Sequence, residues 1–126
     1  MDEFEAMVGR AIAQIPEPFA SQLDSVAIVI DDEATAEQLA SVRARGLFGL
    51  YQGIPRTVYG ADHAPVPSKI TIFRGAIEWF YPDRASRERA VEETVFHEVA
   101  HHFGISDARL RELQRERERK AAISGE

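Results

Sequence analysis

His97 and His101 stand four residues apart, Glu98 directly follows the first, and Gly104 and Asp107 come after at intervals of three, spelling His-Glu-x-x-His-x-x-Gly-x-x-Asp. At about 100° per residue, the two histidines project from nearly the same side of a helix. Two imidazoles one turn apart can bind one Zn²⁺ at about 2.0–2.1 Å each. Glu98 is offset by one step, so it can reach a water at the metal without occupying a coordination position, as a general base must. Gly104 lets the backbone leave the helix through a left-handed cap, and that turn can swing Asp107 back as a third ligand. Three protein ligands and an open position describe a catalytic zinc site rather than a closed structural one.

The same short pattern also occurs in helices that bind no metal. Here a helical stretch precedes it, a glycine stands at the expected stop, and an acid lies three positions on. The competing reading is a buried helix whose histidines only pack or hydrogen-bond. His102 lies about 100° beyond His101, away from His97, and reads as a structural or outer-sphere residue rather than a ligand.

Other elements must position this motif. Ser86 is the expected N-cap of its helix. Val91, Val95 and Val99 run along one side, with Phe96, Ala100 and Phe103 widening the apolar surface, while Glu88, Glu92 and Glu93 keep the amino-terminal half charged on the other. Past Phe96 the pattern leaves almost no exposed face, which implies a dry setting around the histidines. A first helix is expected from Asp2 to Gln14, with Phe4, Val8, Ala11, Ile12 and Ile15 at helical spacing, ended by Pro16-Glu17-Pro18. Ser25 to Asp32 reads as a strand buried on both faces, and Lys69 to Phe73 as a second strand with Ile70 and Ile72 on one face. Asp31, Asp32 and Glu33 mark a strand end. Ala34 to Arg45 is a short helix or an ordered loop. The glycine-rich stretch Gly46 to Pro55 reads as irregular backbone packed close to something, either lining a site or anchored in the core. Thr57 to Tyr59 suggests a brief strand, and Gly60 to Pro67 a loop in which His63 is solvated. After Asp107 a final helix is anchored by Leu110 and Leu113 and frays near residues 123–126.

The chain has 126 residues, 44% of them hydrophobic and none of them cysteine, with a net charge of −6. That suits one domain, residues 1–126, with a single core and no disulfides. No apolar run approaches the roughly 20 residues of a membrane span, and the acidic start Met1-Asp2-Glu3-Phe4-Glu5 is unlike a signal peptide, so the expected location is the cytoplasm. Arg109 to Lys120 interleaves Glu112, Glu116 and Glu118 with its bases, which reads as an ion-paired solvated face rather than a nucleic-acid footprint.

With these pieces placed, the chain resembles the minimal zincins, small bacterial zincin-like metallopeptidases, over roughly residues 46–114. The resemblance is carried by Leu47-Phe48-Gly49-Leu50-Tyr51-Gln52-Gly53-Ile54-Pro55, by Lys69-Ile70-Thr71-Ile72-Phe73, and by His97 to Asp107 with Leu110 and Leu113 behind it. It implies an α+β fold: a small mixed sheet backed by helices, with the motif helix packed on it. It also implies one Zn²⁺ on His97, His101 and Asp107, with Glu98 as base. The extended motif is similar to that of metzincins, but those place a methionine turn after it, and Met1 and Met7 are both upstream. Only one helix can follow Asp107, which implies a shallow cleft open on one side.

The leading expectation is therefore a zinc-dependent peptidase acting on a peptide or protein, without nucleic acid or membrane as partner. Its substrate would lie extended, pairing with a strand edge, for which the stretch leading into Lys69–Phe73 is the candidate. No oxyanion donor besides zinc is identifiable from the sequence, because nothing in it singles out Tyr51, Tyr59 or Tyr81. The alternative is a zinc-containing protein-binding module that uses the surface around Gly46–Pro55. A metal-dependent ribonuclease comes last, because it would want a basic groove and no glutamate after the first histidine.

Overall fold

The structure, a computed structural model, describes residues 2–38, 47–53 and 68–124. The expectations for Thr57–Tyr59, for the loop holding His63 and for most of Ala34–Arg45 lie outside these residues; within the last, residues 36–38 are helical.

Helix α1 (Glu3–Ala13) opens on a capping box: the Glu5 amide donates to Asp2 Oδ1 at 2.8 Å, and Glu5 Oε1 accepts from the Asp2 amide at 3.4 Å. Two orphan donors of the first turn are satisfied reciprocally. Its inner face buries Phe4, Met7, Val8 and Ala11. A 3-10 turn (Ala20–Ser25) leads into β1 (Val26–Asp31). Strand β2 (Gly49–Gln52) and strand β3 (Ser68–Phe73) complete a mixed sheet of order β1-β3-β2, in which β1 pairs parallel and β2 antiparallel to the central β3.

Two expectations about the sheet are corrected here. β1 is an edge strand, and only its Val26 is buried. The strand covered on both faces is β3, where Ile70, Thr71, Ile72 and Phe73 are all inaccessible. A central strand collects cover that an edge strand lacks, so the apolar run Val26–Ile30 signalled a strand but not its position. The stretch around Gly49 is regular backbone after all. Its four residues pair with Ile72, Thr71, Ile70 and Lys69 in turn, because the neighbouring strand supplies hydrogen bonds that local composition does not reveal. Because β3 is flanked on both sides, Lys69–Phe73 cannot accept a further strand, and the stretch proposed to lead into it as the substrate edge lies mostly outside the described residues.

Helix α2 (Arg74–Phe80) follows β3 without a loop. Helix α3 (Arg84–Phe103) carries the histidine motif, and helix α4 (Asp107–Ser124) follows it. The N-cap of α3 is Asp83 rather than Ser86: the Asp83 carboxylate accepts from the Ser86 amide at 2.9 Å, so the helix begins one residue beyond Asp83. That bond holds the Asp83 carboxyl below its ordinary range. Val91, Val95 and Val99 form the inaccessible spine of α3, packed with Ile70, Ile72, Phe96 and residues of α1 in one core. Arg10 of α1 grips Glu88 of α3 through two nitrogens, at 2.6 and 2.9 Å, bridging the two helices at the edge of their apolar contact.

α4 is helical to Ser124, and the last two residues of the stretch expected to fray lie outside the described residues. Leu110 is completely buried, Leu113 only partly. Gln114 is buried as well and donates to Gln14 at 3.0 Å, while Arg111 pairs with Glu92 at 2.6 Å and stacks over Phe96 at 4.0 Å. Among the described residues no helix is long and apolar enough to cross a membrane. Leu110 is the main apolar anchor of α4, so Leu110→Ala is expected to cost about 2–5 kcal/mol in urea-monitored unfolding. A loss under about 1 kcal/mol would mean that α4 is held by its polar contacts instead.

Candidate functional site

Along α3 two adjacent stripes recur at intervals of four. One is Ala90, Thr94, Glu98 and His102, all buried; the other is Glu93, His97 and His101, all exposed. The first faces strand β2. Gly49 lies so close to it that a Cβ there would fall 2.6 Å from Thr94 Cγ2 and 3.2 Å from Glu98 Cγ. Two residues along the same strand, the backbone amide of Tyr51 donates to the Glu98 carboxylate. The Tyr51 hydroxyl lies 3.0 Å from both Ser68 Oγ and His102 Nδ1, tying β2, β3 and α3 together inside the molecule.

Glu98 is therefore a buried carboxylate. Desolvation raises its pKa above the usual carboxylate range, against smaller opposing contributions from the His97 charge and the Tyr51 amide. Its neighbours differ sharply. The side chains of His97, His101 and Asp107 are 63%, 56% and 57% exposed, against 9% for Glu98. The dry environment expected around the histidines is thus confined to Glu98 and His102, and the two exposed imidazoles border solvent. The sequence pattern failed here because it counted apolar neighbours without showing where the chain leaves a groove open.

Past Phe103 the helix ends in a Schellman turn. Gly104 has φ 69°, its amide donates to the His101 carbonyl, and the Ile105 amide reaches the Ala100 carbonyl at 3.0 Å. Only glycine adopts that backbone readily. The turn reverses the chain enough to set Asp107 Oδ2 3.1 Å from His97 Nδ1, and this hydrogen bond holds the Asp107 carboxyl below its ordinary range. His101 Nδ1 lies 4.0 Å from Glu98 Oε1.

The structure thus brings His97, Glu98, His101 and Asp107 to one corner, with His97 paired to Asp107. Among the described residues, no three His, Asp or Glu side chains converge closely enough to share an ion. The chemistry of the donors suits zinc all the same: two imidazoles and an ionised carboxylate, at the solvent side of one helix corner. A groove of about 420 Å³ runs past His97, Glu98 and Asp107, bordered by Leu47, Phe48 and Tyr81 and by Glu93 of the exposed stripe; His101 is not among its lining residues.

The profile of the zincin-like metallopeptidases matches residues 23–117. The chain belongs to that family. No curated protein matches it. The family match starts earlier than the resemblance read from residues 46–114 and takes in β1 as well, and the mixed sheet with the motif helix across it is the expected zincin-like α+β arrangement. Zinc is the metal that the family implies.

Sequence reasoning missed three contributions to the site. Gly49 matters through the space it leaves, and only the packing of β2 on α3 reveals that. Glu93 sits one turn ahead of His97, a spacing that could have flagged it. The three tyrosines, equivalent in sequence, separate in space: Tyr51 spends its hydroxyl inside, Tyr81 borders the groove, and Tyr59 lies outside the described residues.

Two outcomes follow. Gly49→Ala should destabilise the protein by about 1–3 kcal/mol through overpacking, and Thr94→Ser, which removes the methyl that the new Cβ meets, should restore most of the loss. Failure of the double variant to recover would place the conflict elsewhere. In metal-free protein, Glu98→Gln should be more stable than the parent at neutral pH. The raised pKa of Glu98 means that ionisation is penalised in the folded state, so the penalty is absent below the unfolded value near 4.5 and complete only above the higher folded value. The gap between variant and parent should therefore close as pH falls through this window; a gap that is constant with pH would show that burial of charge is not its source.

Proposed function

We propose that this chain is a zinc-dependent peptidase in which His97, His101 and Asp107 hold one zinc ion and Glu98 is the general base. The observation that carries the reading is Glu98 itself. It is a carboxylate kept out of water beside two exposed imidazoles, fastened by a strand amide and facing the groove. A site that merely held a metal would have no use for a fourth, desolvated acid at that position.

Zinc, when bound, supplies a Lewis acid for the carbonyl and brings the pKa of a water toward about 7. The chain's own part is proton transfer. Glu98 accepts a proton from the attacking water and delivers it to the departing amine. The Tyr51 amide restrains the carboxylate, so the group keeps its orientation while it changes charge. Asp107, kept ionised by its bond to His97, remains an available anionic donor.

The groove is acidic and the chain carries a net charge of −6, which supports a peptide rather than a nucleic acid as substrate. One observation favours the second reading, a zinc-retaining module that binds protein without turnover: Phe80, 66% exposed, stands beside the groove against Phe48. The readings part on the Glu98→Gln variant. On a mixed peptide library at saturating zinc, it should lose about 10²–10⁴-fold in hydrolysis while retaining one zinc per chain by elemental analysis. Cleavage equal to that of the parent, or cleavage by neither protein, would overturn the peptidase reading.

A further inference from the structure

The two sides of the groove differ in chemistry. One is apolar and largely aromatic. Phe48 packs edge-on against Tyr81 at 5.7 Å and against Phe80 at 5.6 Å, with Leu47 beside them at the groove. The other is the exposed stripe of α3, on which Glu93 precedes His97 by one turn. Among the described residues bordering the groove there is no Lys or Arg. The nearby cations are engaged elsewhere: Arg111 with Glu92, and Arg87 with Glu78 and with the carbonyls of Tyr81 and Pro82. No ion pair joins Glu93 to another described residue, so its carboxylate is left to solvent or to whatever fills the groove.

These positions fix a spacing. Four helical residues separate Glu93 from His97, which is about 6 Å at a rise of 1.5 Å per residue. An extended peptide advances about 3.3 Å per residue, so the same distance spans about two of its residues. We propose that the groove selects peptides with a bulky apolar side chain beside the bond presented to Glu98, seated against Phe48 and Tyr81, and a lysine or arginine about two residues away, opposite Glu93. The assignment rests on the peptidase reading above and adds to it a substrate class.

The test separates selection from turnover. Zinc-loaded Glu98→Gln protein, which should bind without cleaving, is titrated with fluorescein-labelled octapeptides that carry Phe or Ala at a central position and Lys or Glu two residues to either side. The Phe peptides should bind about tenfold tighter than the Ala peptides, and Lys should be preferred over Glu by about three- to fivefold. Adding Glu93→Lys, an exposed change, should reverse the charge preference and leave the aromatic one intact. Adding Tyr81→Ala should do the opposite. A charge preference that survives Glu93→Lys, or equal binding of Phe and Ala peptides, would overturn the assignment. The same set of peptides is then offered to zinc-loaded parent protein. Selective binding without hydrolysis would keep the groove assignment and remove the peptidase reading; hydrolysis indifferent to both positions would do the reverse.

Discussion

Strand β2 approaches helix α3 so closely at Gly49 that a methyl group does not fit between them, and the rest of the site depends on this approach. Were the strand an ångström further out, the Tyr51 amide could not reach Glu98, and the carboxylate would be exposed like its neighbours. Close approach of a strand to a helix is unusual because side chains normally keep the layers about 10 Å apart. A glycine at the contact point removes that spacer. Strand position is in turn set by the ladder to β3 and by the Tyr51 hydroxyl, locked between Ser68 and His102. The backbone that desolvates Glu98 is thus the same backbone that supplies its hydrogen bond.

Helix α3 serves three surfaces at once. Val91, Val95 and Val99 hold it to the core; Ala90, Thr94, Glu98 and His102 meet β2; Glu93, His97 and His101 face outward. Each stripe repeats every four residues, and the remaining one, Glu92, Phe96 and Ala100, includes the two residues that meet Arg111 of α4. The core stripe costs little to maintain, since it is apolar throughout. The β2 stripe is where folding and chemistry conflict: it buries a carboxylate whose ionised form would be more stable in water. The favourable packing of the valines and of Leu110 offsets that cost, which is why an acid can be kept here at all. Real proteins break local rules of this kind mainly at functional sites.

What the sequence made legible follows from the range of the forces involved. The motif, the left-handed glycine and the return of Asp107 to His97 are all local, reached within about three helical turns, and they could be read from spacing. So could the core spine of α3 and the extent of α1, although the cap of α3 is Asp83 rather than the expected Ser86. Apart from that local shift, the misreadings involve partners distant in sequence. Regular pairing of Gly49–Gln52, the edge position of β1 and the exposure of His97 and His101 depend on which strand or loop lies alongside. Helix α2, rich in aromatic residues of modest helix propensity, is likewise held by tertiary contacts, among them the Gly75 amide donating to the Asp32 carbonyl at 2.7 Å. Composition carries no record of such neighbours.

The exposure of the histidines is itself informative about how such a site can be built in a small protein. A metal needs donors that are accessible, whereas a general base benefits from being dry. A large enzyme can meet both demands by burying the whole constellation beneath a second lobe. Here the division falls between adjacent residues of one helix: a rotation of about 100° separates exposed His97 from buried Glu98. No additional wall is required for that contrast, only a strand close enough to shield one stripe and short enough to leave the next uncovered. A groove formed in this way borrows its far side from the residue before β2 and from the turn of α2 into α3, which in this chain are Phe48 and Tyr81. The spacing of the motif places the donors, whereas the packing around β2 both shields Glu98 and seats Phe48 at the groove, so the base and the character of the groove are coupled through that strand.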